Sequence, residues 1–540
     1  MSFTARAGRW SAQHRKTAVI GWILFVVLAV VVGGKVGQND LDESAVGSGE
    51  SKRGDMIVEA AGFADQSREQ VLVQGRDADA PEVTAAVRDV VSRLGRIDGI
   101  AEVASPTVSK DGRSVLVTFT MRGTDEQAEK LVEQPLAAVA AAQAAHPDVR
   151  VEQFGEVSAS KAIAAQDAKD GKQAELISGA LMLVILLVAF GAVVAAGLPL
   201  VLGASAVAAT VGLLGPVSQL YALPVDVADL VVIIGLAVGV DYAMFYSRRV
   251  MEERDRGHSV EAAVEIAAAT SGRAVLISGM TVMTAMGGLL FAGNPIFVGF
   301  GVGTMLVVGV AMLGSLTFLP AMLAFLSRKN WLEKGRVPFF TKRRHQAKGE
   351  SRIWNAILTR VLARPLVSTV LAGALLVALS VPALGIQFKN PGFEGYSRSQ
   401  PVIQTYDRLQ AAFPGGAVPA MTVIQADDVT AAPVQSAIQE LRDQALATGQ
   451  LAEPFSVEVS PDKTVAVVAL AVKGSGTDAA SERSLEVLRS DVVPATVGKL
   501  AGADVAVTGM TAGSKDFIDS MTSRAPLVFL FVLGLTFVLL

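Results

Sequence analysis

The sequence predicts an α-helical polytopic membrane protein with two extracytoplasmic α+β domains, built as an internal parallel repeat. Of its 540 residues, 51% are hydrophobic and only 18% are charged, which is typical of a membrane protein with sizeable soluble parts. Apolar runs of roughly membrane length alternate with polar segments. The predicted parts are the N-terminus with span one (1–36), the first domain (37–173), spans two to six (174–327), a basic cytoplasmic linker (328–365), span seven (366–386), the second domain (387–524) and the start of span eight (525–540).

The N-terminus carries basic residues and no acid before the apolar run 17–34. A signal peptide is the alternative, but the run is long and lacks a clear small-x-small cleavage site. We therefore expect an uncleaved first span whose N-terminus lies in the cytoplasm.

The polar segment that follows alternates between strand and helix patterns. Strands are predicted at 70–74, 100–103, 114–121 and 149–154, with helices at 81–94 and 124–145. This βαββαβ order is the split βαβ, ferredoxin-like arrangement.

Five further spans are predicted near 174–190, 194–214, 228–247, 273–292 and 297–326, with a short link at Gly191–Ala192 between the first two. Asp226 and Asp229 lie where the third of these helices starts. A helix cap and the helix dipole favour acids there, so we expect structural roles for both, with a proton entrance as the alternative.

Asp241 lies inside the third of these spans, about two turns before the charged end at Arg248. A carboxylate at that depth costs a few kcal/mol even on mild insertion scales, and such residues mark ion paths by default. Gly235 and Gly239, four residues apart, allow another helix to approach closely. The structural alternative is an acid that is hydrogen-bonded to a neighbouring helix.

Basic residues cluster at the N-terminus, after the Asp241 helix and throughout 328–365. A nucleic-acid surface would explain such a patch, but the positive-inside rule explains it more simply beside membrane spans. We expect a multi-pass protein of the cytoplasmic (inner) membrane, with no nucleic-acid partner.

The second polar segment repeats the first. Strands are predicted at 421–425, 456–459, 463–472 and 504–508, with helices at 432–447 and 479–500. The last strands end alike, at Phe154–Lys161 and Thr508–Lys515, and an apolar run follows each. Both copies start in the cytoplasm, which predicts parallel repeats related by an axis along the membrane normal.

The sequence lacks the residues that disulfides, metal sites and ATP binding require. The chain has no cysteine, and its four histidines (His14, His146, His258 and His345) lie far apart without ligand spacing. No Gly-Lys pair is followed by Ser or Thr, so no ATP-binding loop is present. We expect no catalytic residues, no metal and no cofactor.

The stretch Gly235–Tyr242, the charged stretch Arg248–Arg256 and the helix opening Thr270–Val275 together resemble the resistance–nodulation–division superfamily, and within it the MmpL-type transporters of actinobacteria. The resemblance covers essentially the whole chain. It implies proton-driven export of lipids, drugs or other hydrophobic molecules. The small domains fit MmpL-type exporters better than multidrug pumps that dock onto outer-membrane channels.

The family resemblance also implies roles for individual residues. Asp241 and Tyr242 match an Asp-Tyr pair on the fourth helix that meets a second pair on the tenth, forming a proton relay. Ser278 and Thr281 on the next helix would support it, with hydrogen bonds to their own helix as the equal alternative. The partners expected are a lipid or hydrophobic small molecule, protons and the membrane; a homo-oligomer is compatible with the sequence.

Two other functions stay open: a helper of protein secretion, which the superfamily includes, and a lipid-sensing membrane receptor. Asp241 favours the first over the second, because a sensor needs no titrating acid.

The run 525–540 has no closing charge, and we expect it to be the truncated start of a span, with the C-terminal half of the chain missing. Gly155 precedes Asp241 by 86 residues, and Gly509 is its counterpart. The second acid is then expected near position ~595.

Overall fold

The computed structural model describes residues 3–41, 46–63, 67–123, 125–190, 193–328, 352–382, 395–413, 419–474 and 476–539. The chain forms two compact units. The first, here called the membrane unit, comprises Met1–Asp42, Glu175–Gln387 and Met521–Leu540, and the second, here called the sheet unit, comprises Glu43–Ala174 and Phe388–Ser520.

The helices, in chain order, are α1 (Phe3–Gln13), α2 (Arg15–Val36), α3 (Gly49–Ala60), α4 (Pro81–Leu94), α5 (Asp125–Leu131), α6 (Glu133–Ala145), α7 (Glu156–Phe190), α8 (Val193–Ser218), α9 (Val227–Asp255), α10 (Val260–Gly287), α11 (Pro295–Leu316), α12 (Phe318–Arg328), α13 (Arg352–Ala363), α14 (Pro365–Ser380), α15 (Pro401–Ala412), α16 (Ala432–Ala447), α17 (Ala479–Val487) and α18 (Met510–Leu539). The strands are β1 (Arg68–Gln74), β2 (Ile100–Val103), β3 (Thr107–Val108), β4 (Ser114–Met121), β5 (Arg150–Gly155), β6 (Pro419–Gln425), β7 (Leu451–Val459), β8 (Val465–Val472) and β9 (Asp504–Thr508).

The membrane-protein prediction is confirmed by the helices. Within the described residues, seven are long and apolar enough to cross a membrane, and an eighth span results if the bent pair α13–α14 counts as one. The helices of that pair meet at 103°. The run predicted as span seven is therefore a 16-residue helix, α14, with a second helix before it. The link Gly191–Ala192 and most of the basic linker lie outside the described residues.

Close backbone contacts hold the first span against α8. A Cβ on Gly33 would lie 2.0 Å from the Gly212 carbonyl oxygen, so only glycine fits there. Trp22 of α2 donates its indole N–H to the Ser205 hydroxyl on α8 at 3.0 Å. Small residues, together with one hydrogen-bonded indole, thus let these two helices pack closely.

The first sheet has the antiparallel order β2-β4-β1-β5, and the short β3 pairs with β4. This is the order that a split βαβ domain requires. The sequence missed β3, and the predicted helix 124–145 is two helices, α5 and α6, which meet at Val132.

The second sheet repeats the first with the order β7-β8-β6-β9. The predicted helix 479–500 is interrupted: α17 stops at Val487, and a π-helical turn, Leu488–Val492, follows. A short α-helical segment, Val493–Ala495, continues beyond this turn, and Pro494 within it has no amide to donate to the preceding turn.

The repeat extends to the hydrogen bonds of one turn. Before β4, the Ser109 hydroxyl donates to Asp111 at 2.5 Å and accepts from the Ser114 amide at 3.0 Å. Before β8, the Ser460 hydroxyl donates to Asp462 at 2.6 Å and accepts from an amide at 2.9 Å. Both hairpins therefore use the same Ser-x-Asp turn.

The two domains exchange helices, which the sequence did not predict. The helix α3, which leads into the first domain, packs on the second sheet, where Ile57 is buried beside Val423 and Val467. The helix α15, which leads into the second domain, packs on the first sheet, where Tyr406 contacts Phe154 at a ring-centroid distance of 5.2 Å. Each sheet is therefore covered on one face by a helix that precedes the other domain.

Candidate functional site within the membrane unit

The start of the Asp241 helix is held by a short bridge to the end of α2. The Leu223 amide donates to the Asn39 carbonyl at 3.1 Å, and the Leu41 amide donates to the Leu223 carbonyl at 2.9 Å. Asp226 occupies the N-cap position of α9, but its side chain makes no capping hydrogen bond. The expected cap is therefore absent, whereas Asp229 does lie in the first turn.

One face of α9 is built from small and buried residues. A Cβ on Gly235 would lie 2.5 Å from Val307 of α11 and 2.7 Å from Val207 of α8. A Cβ on Gly239 would lie 2.7 Å from the Gly203 Cα. Since that atom is backbone, α8 cannot yield to a side chain at 239. The spacing of four that the sequence shows is the spacing that brings both glycines to this face.

Asp241 lies on a different face. Ile233, Ala237, Asp241 and Phe245 follow one another every fourth residue and are all exposed, with Ile233 at 69% and Phe245 at 59%. We call these four residues the acid stripe. The structure thus places one carboxylate in an open, otherwise apolar stripe of a membrane-spanning helix.

Tyr242 faces the interior instead. Its side chain is 6% exposed, and its hydroxyl is buried without a hydrogen-bond partner among the described residues. It lies against α10, where a Cβ on Gly279 would be 3.3 Å from the hydroxyl oxygen. Ser278 is adjacent but exposed. Adjacent in sequence, Asp241 and Tyr242 therefore point to different surroundings.

The two predicted supporting hydroxyls behave differently. Thr281 donates to the Ile277 carbonyl of its own helix at 2.9 Å, which is the structural alternative that the sequence left open. Ser278 lies on the exposed side of α10, next to Tyr242. Of the two, only Ser278 neighbours the Tyr242 hydroxyl.

Two further residues of α9 escaped the sequence analysis. Tyr246, one turn after Tyr242, is fully buried and donates to the Val264 carbonyl at 3.2 Å. Glu253 is 3% exposed and pairs with Arg249 at 2.9 Å, with His258 at 3.1 Å and with Arg256. The i, i+4 spacing from Tyr242 could have indicated Tyr246; the basic residues on both sides of Glu253 could have indicated its burial.

No group of three acids and histidines suited to a metal ion occurs in the part of the chain that the structure describes. A shallow cavity of about 530 Å³ opens in the first domain instead. Its polar side chains are Arg96, Asp98, Arg122, Gln127 and Gln134.

The chain is a multi-pass membrane protein of the type that the sequence resembles. It has multiple apolar helices, two βαββαβ domains and a carboxylate in the acid stripe. The model of the MMPL family matches residues 49–368 and 396–540. The chain therefore belongs to the MMPL family.

Three relatives illustrate the similarity. The mycolic acid-containing lipids exporter MmpL11 of Mycolicibacterium smegmatis is 30% identical over 67% of this chain and 38% of its own length. The heme uptake protein MmpL11 of Mycobacterium tuberculosis H37Rv is 29% identical over 86% of this chain and 48% of its own. The putative membrane protein SCO6666 of Streptomyces coelicolor is 31% identical over all of this chain and 73% of its own. The chain spans about half the length of the MmpL11 relatives that it matches.

Proposed function

We propose that this chain is part of a secondary active transporter that exports lipids or other hydrophobic molecules across the cytoplasmic membrane, with protons as the driving ion and no enzymatic step. The observation that carries the proposal is Asp241 in the acid stripe. A carboxylate costs free energy at that depth, whether charged or desolvated, so its presence calls for a role that an apolar residue could not fill.

In the proposed mechanism, Asp241 takes up and releases the proton. Because the acid stripe is open among the described residues, a further membrane helix can pack against it. A second acid–tyrosine pair on that helix would complete the relay. Protonation of Asp241 removes the charge that holds this contact, and the helices can then separate.

Tyr242 contributes the hydroxyl of the relay. A hydroxyl both donates and accepts, so it can pass a proton in either direction. Its buried hydroxyl has no hydrogen-bond partner within the part of the chain that the structure describes, and an unmade hydrogen bond of that kind costs about 1–3 kcal/mol. Ser278 is the neighbouring hydroxyl that can complete this hydrogen bond, which supports a relay of Asp241, Tyr242 and Ser278.

The proposed sidedness follows the charges. The end of α9 that carries Arg248 and Arg254, with Arg256 just after it, faces the cytoplasm, as does the N-terminus. The domains 37–173 and 387–524 then lie outside, and 328–365 lies inside. An amphipathic substrate would bind in the two outer domains.

The test compares two conservative variants in a strain that lacks the gene. Asp241→Asn keeps the shape and removes the titration, whereas Asp229→Asn makes the same change near the start of the same helix. We expect Asp241→Asn to be produced at the normal level and to leave one lipid class inside the cell, and Asp229→Asn to restore export. Chromatography and mass spectrometry of surface lipids give the readout.

Export at the wild-type rate in Asp241→Asn would contradict the relay. Normal surface lipids together with a general defect in secreted proteins would favour the secretion helper.

A second candidate is heme uptake, the function for which the Mycobacterium tuberculosis relative is named. Restored growth on heme as the sole iron source, with unchanged surface lipids, would favour it.

A further inference from the structure

The N-terminal helix α1 is an amphipathic helix joined to a membrane span by a single residue. It ends at Gln13, and α2 begins at Arg15. One face of α1 is buried and consists of small residues, namely Thr4, Ala5, Gly8, Ser11 and Ala12. Such a face allows the helix to lie close against its neighbours.

The opposite face combines aromatic and basic side chains. Phe3 is 66% exposed and Trp10 is 50% exposed, and Arg6 lies exposed between them. The spacings of three and four place all three on one side of the helix. His14 extends the face, because its ring stacks on Trp10 at 5.2 Å. We call Phe3, Arg6, Trp10 and His14 the aromatic–basic face.

The position of α1 is fixed by the helices of the candidate site. A Cβ on Gly8 would lie 2.4 Å from the Ala268 Cβ of α10 and 3.1 Å from the Tyr246 hydroxyl of α9. Arg9 flanks this contact and lies 3.7 Å from Glu265. Since α2 starts at once after His14, the aromatic–basic face lies at the level where a span leaves the apolar core.

The charges of α1 and of the start of α2 have one sign. Residues 3–16 contain Arg6, Arg9, Arg15 and Lys16 and no acid. Arg9 has Glu265 as a neighbour, but Arg6 has no ion pair among the described residues. Trp10 and Arg6 at this depth suit an anionic headgroup region, where the ring lies at the boundary and the guanidinium meets phosphate.

We propose that the aromatic–basic face of α1 is a binding surface for anionic phospholipid headgroups on the side of the membrane where α9 ends and α10 begins. Phe3 and Trp10 enter the acyl boundary, and Arg6 binds phosphate. Because α1 rests on Tyr246 and Ala268, headgroup binding stabilises the position of α1 against both helices of the candidate site. This surface does not depend on the proposed proton relay.

The test uses the full chain in lipid nanodiscs. The chain lacks cysteine, so Gln13→Cys, at the exposed edge of α1, takes one environment-sensitive fluorophore. Nanodiscs contain phosphatidylcholine with an increasing share of phosphatidylglycerol. We expect the emission to shift towards the blue as phosphatidylglycerol rises, and the shift to shrink at high salt.

In the same background, Arg6→Gln should raise the phosphatidylglycerol fraction that gives half the response about fivefold, as the loss of one basic contact predicts. Arg76→Gln, an exposed arginine of the sheet unit, is the matched control and should change nothing. Trp10→Ala should reduce the shift at every lipid composition.

An equal response in phosphatidylcholine alone, or an unchanged response in Arg6→Gln, would overturn the proposal. So would the same shift produced by inorganic phosphate in phosphatidylcholine nanodiscs, because the face would then bind a free anion rather than a lipid surface.

Discussion

Arg489 holds the exchanged helix α3 on the second domain. It binds Asp516 at 2.6 Å and Glu50 of α3 at 3.1 Å, and its side chain is only 17% exposed. Asp516 in turn accepts from the Ser51 amide of α3 at 2.8 Å. One guanidinium therefore serves two carboxylates at a half-buried helix contact.

Replacing Arg489 by methionine keeps much of the side-chain volume and leaves both carboxylates without a cation. Asp516 is 10% exposed and Glu50 is 32% exposed, so water can compensate only Glu50 well. Breaking a buried pair in this way costs about 3–5 kcal/mol, and we take about 3 because of the partial exposure. That corresponds to a roughly hundredfold rise in the open population of α3.

Pulsed thiol labelling measures this opening. Ile57→Cys places a single thiol on the buried face of α3, where the native side chain is 9% exposed. The reagent reaches it only when α3 leaves the sheet. We expect labelling of the Arg489→Met protein to be roughly a hundred times faster than labelling of the parent with the Ile57→Cys change alone.

Two comparisons make the reasoning refutable. Arg398 pairs with Asp407 at 2.8 Å, but both side chains are exposed (66% and 38%), so Arg398→Met should cost under about 1 kcal/mol. Adding Asp516→Asn to Arg489→Met should recover much of the loss, because the buried unpaired charge is gone. Labelling of Arg489→Met at the parent rate, or no recovery in the double variant, would refute the account of this contact.

The remaining predictions concern pH, packing and sidedness. Burial raises the pKa of Asp55, and the neighbouring Asp516 raises it further. Docking of α3 should therefore weaken as pH rises from about 3.8 through that raised pKa, because Asp55 becomes charged in its buried position. Asp55→Asn should abolish this pH dependence of α3 docking in the same labelling assay. Gly239→Ala should lower the thermal stability by about 1–3 kcal/mol, because the added Cβ meets α8 backbone, whereas Gly21→Ala in α2, with nothing within 4 Å, should not. A cysteine in place of exposed Lys110 should react with an impermeant reagent in intact cells and one in place of exposed Asp255 should not; the reverse pattern would overturn the proposed sidedness.

Below about pH 3.8, α3 docking depends on pH in the opposite direction, because Asp516 titrates there. Burial alone would raise the pKa of Asp516, but hydrogen bonds from Arg489 and the Ser51 amide outweigh it and hold the pKa below its ordinary value. Its contribution to docking is therefore lost as pH falls through that lowered pKa. Docking of α3 should be strongest between the two titrations.

Local periodicity was enough to predict most elements of the fold. The predicted bounds of α4, β2 and β4 agree with the structure residue for residue, because alternation and a proline at a helix start are local signals. The exchange of α3 and α15 could not be predicted, since both are short amphipathic helices and either sheet could cover their apolar faces. The periodicity of the sequence also did not show where α6 and α17 begin and end within longer helical stretches.

The site was predictable to a similar degree. An acid and two glycines in an apolar run are visible in the sequence, and a period of 3.6 separates their faces. Whether the Tyr242 side chain lies beside Asp241 or in the buried interior depends on how α10 packs against α9, which is a tertiary property. The three basic partners of Glu253 meet only because α9 ends at Asp255 and the chain turns at Gly257, where φ is 91°.

The most direct test of the account asks whether Asp241 binds and releases a proton in the membrane. Infrared difference spectra of the protein in lipid nanodiscs, recorded while the pH is stepped, report each protonated carboxyl group by its own absorption. We expect one carboxyl band of the wild type to be missing in Asp241→Asn and retained in Asp229→Asn, and Tyr242→Phe to shift its midpoint. Identical spectra for the wild type and Asp241→Asn over the whole pH range would contradict the central claim.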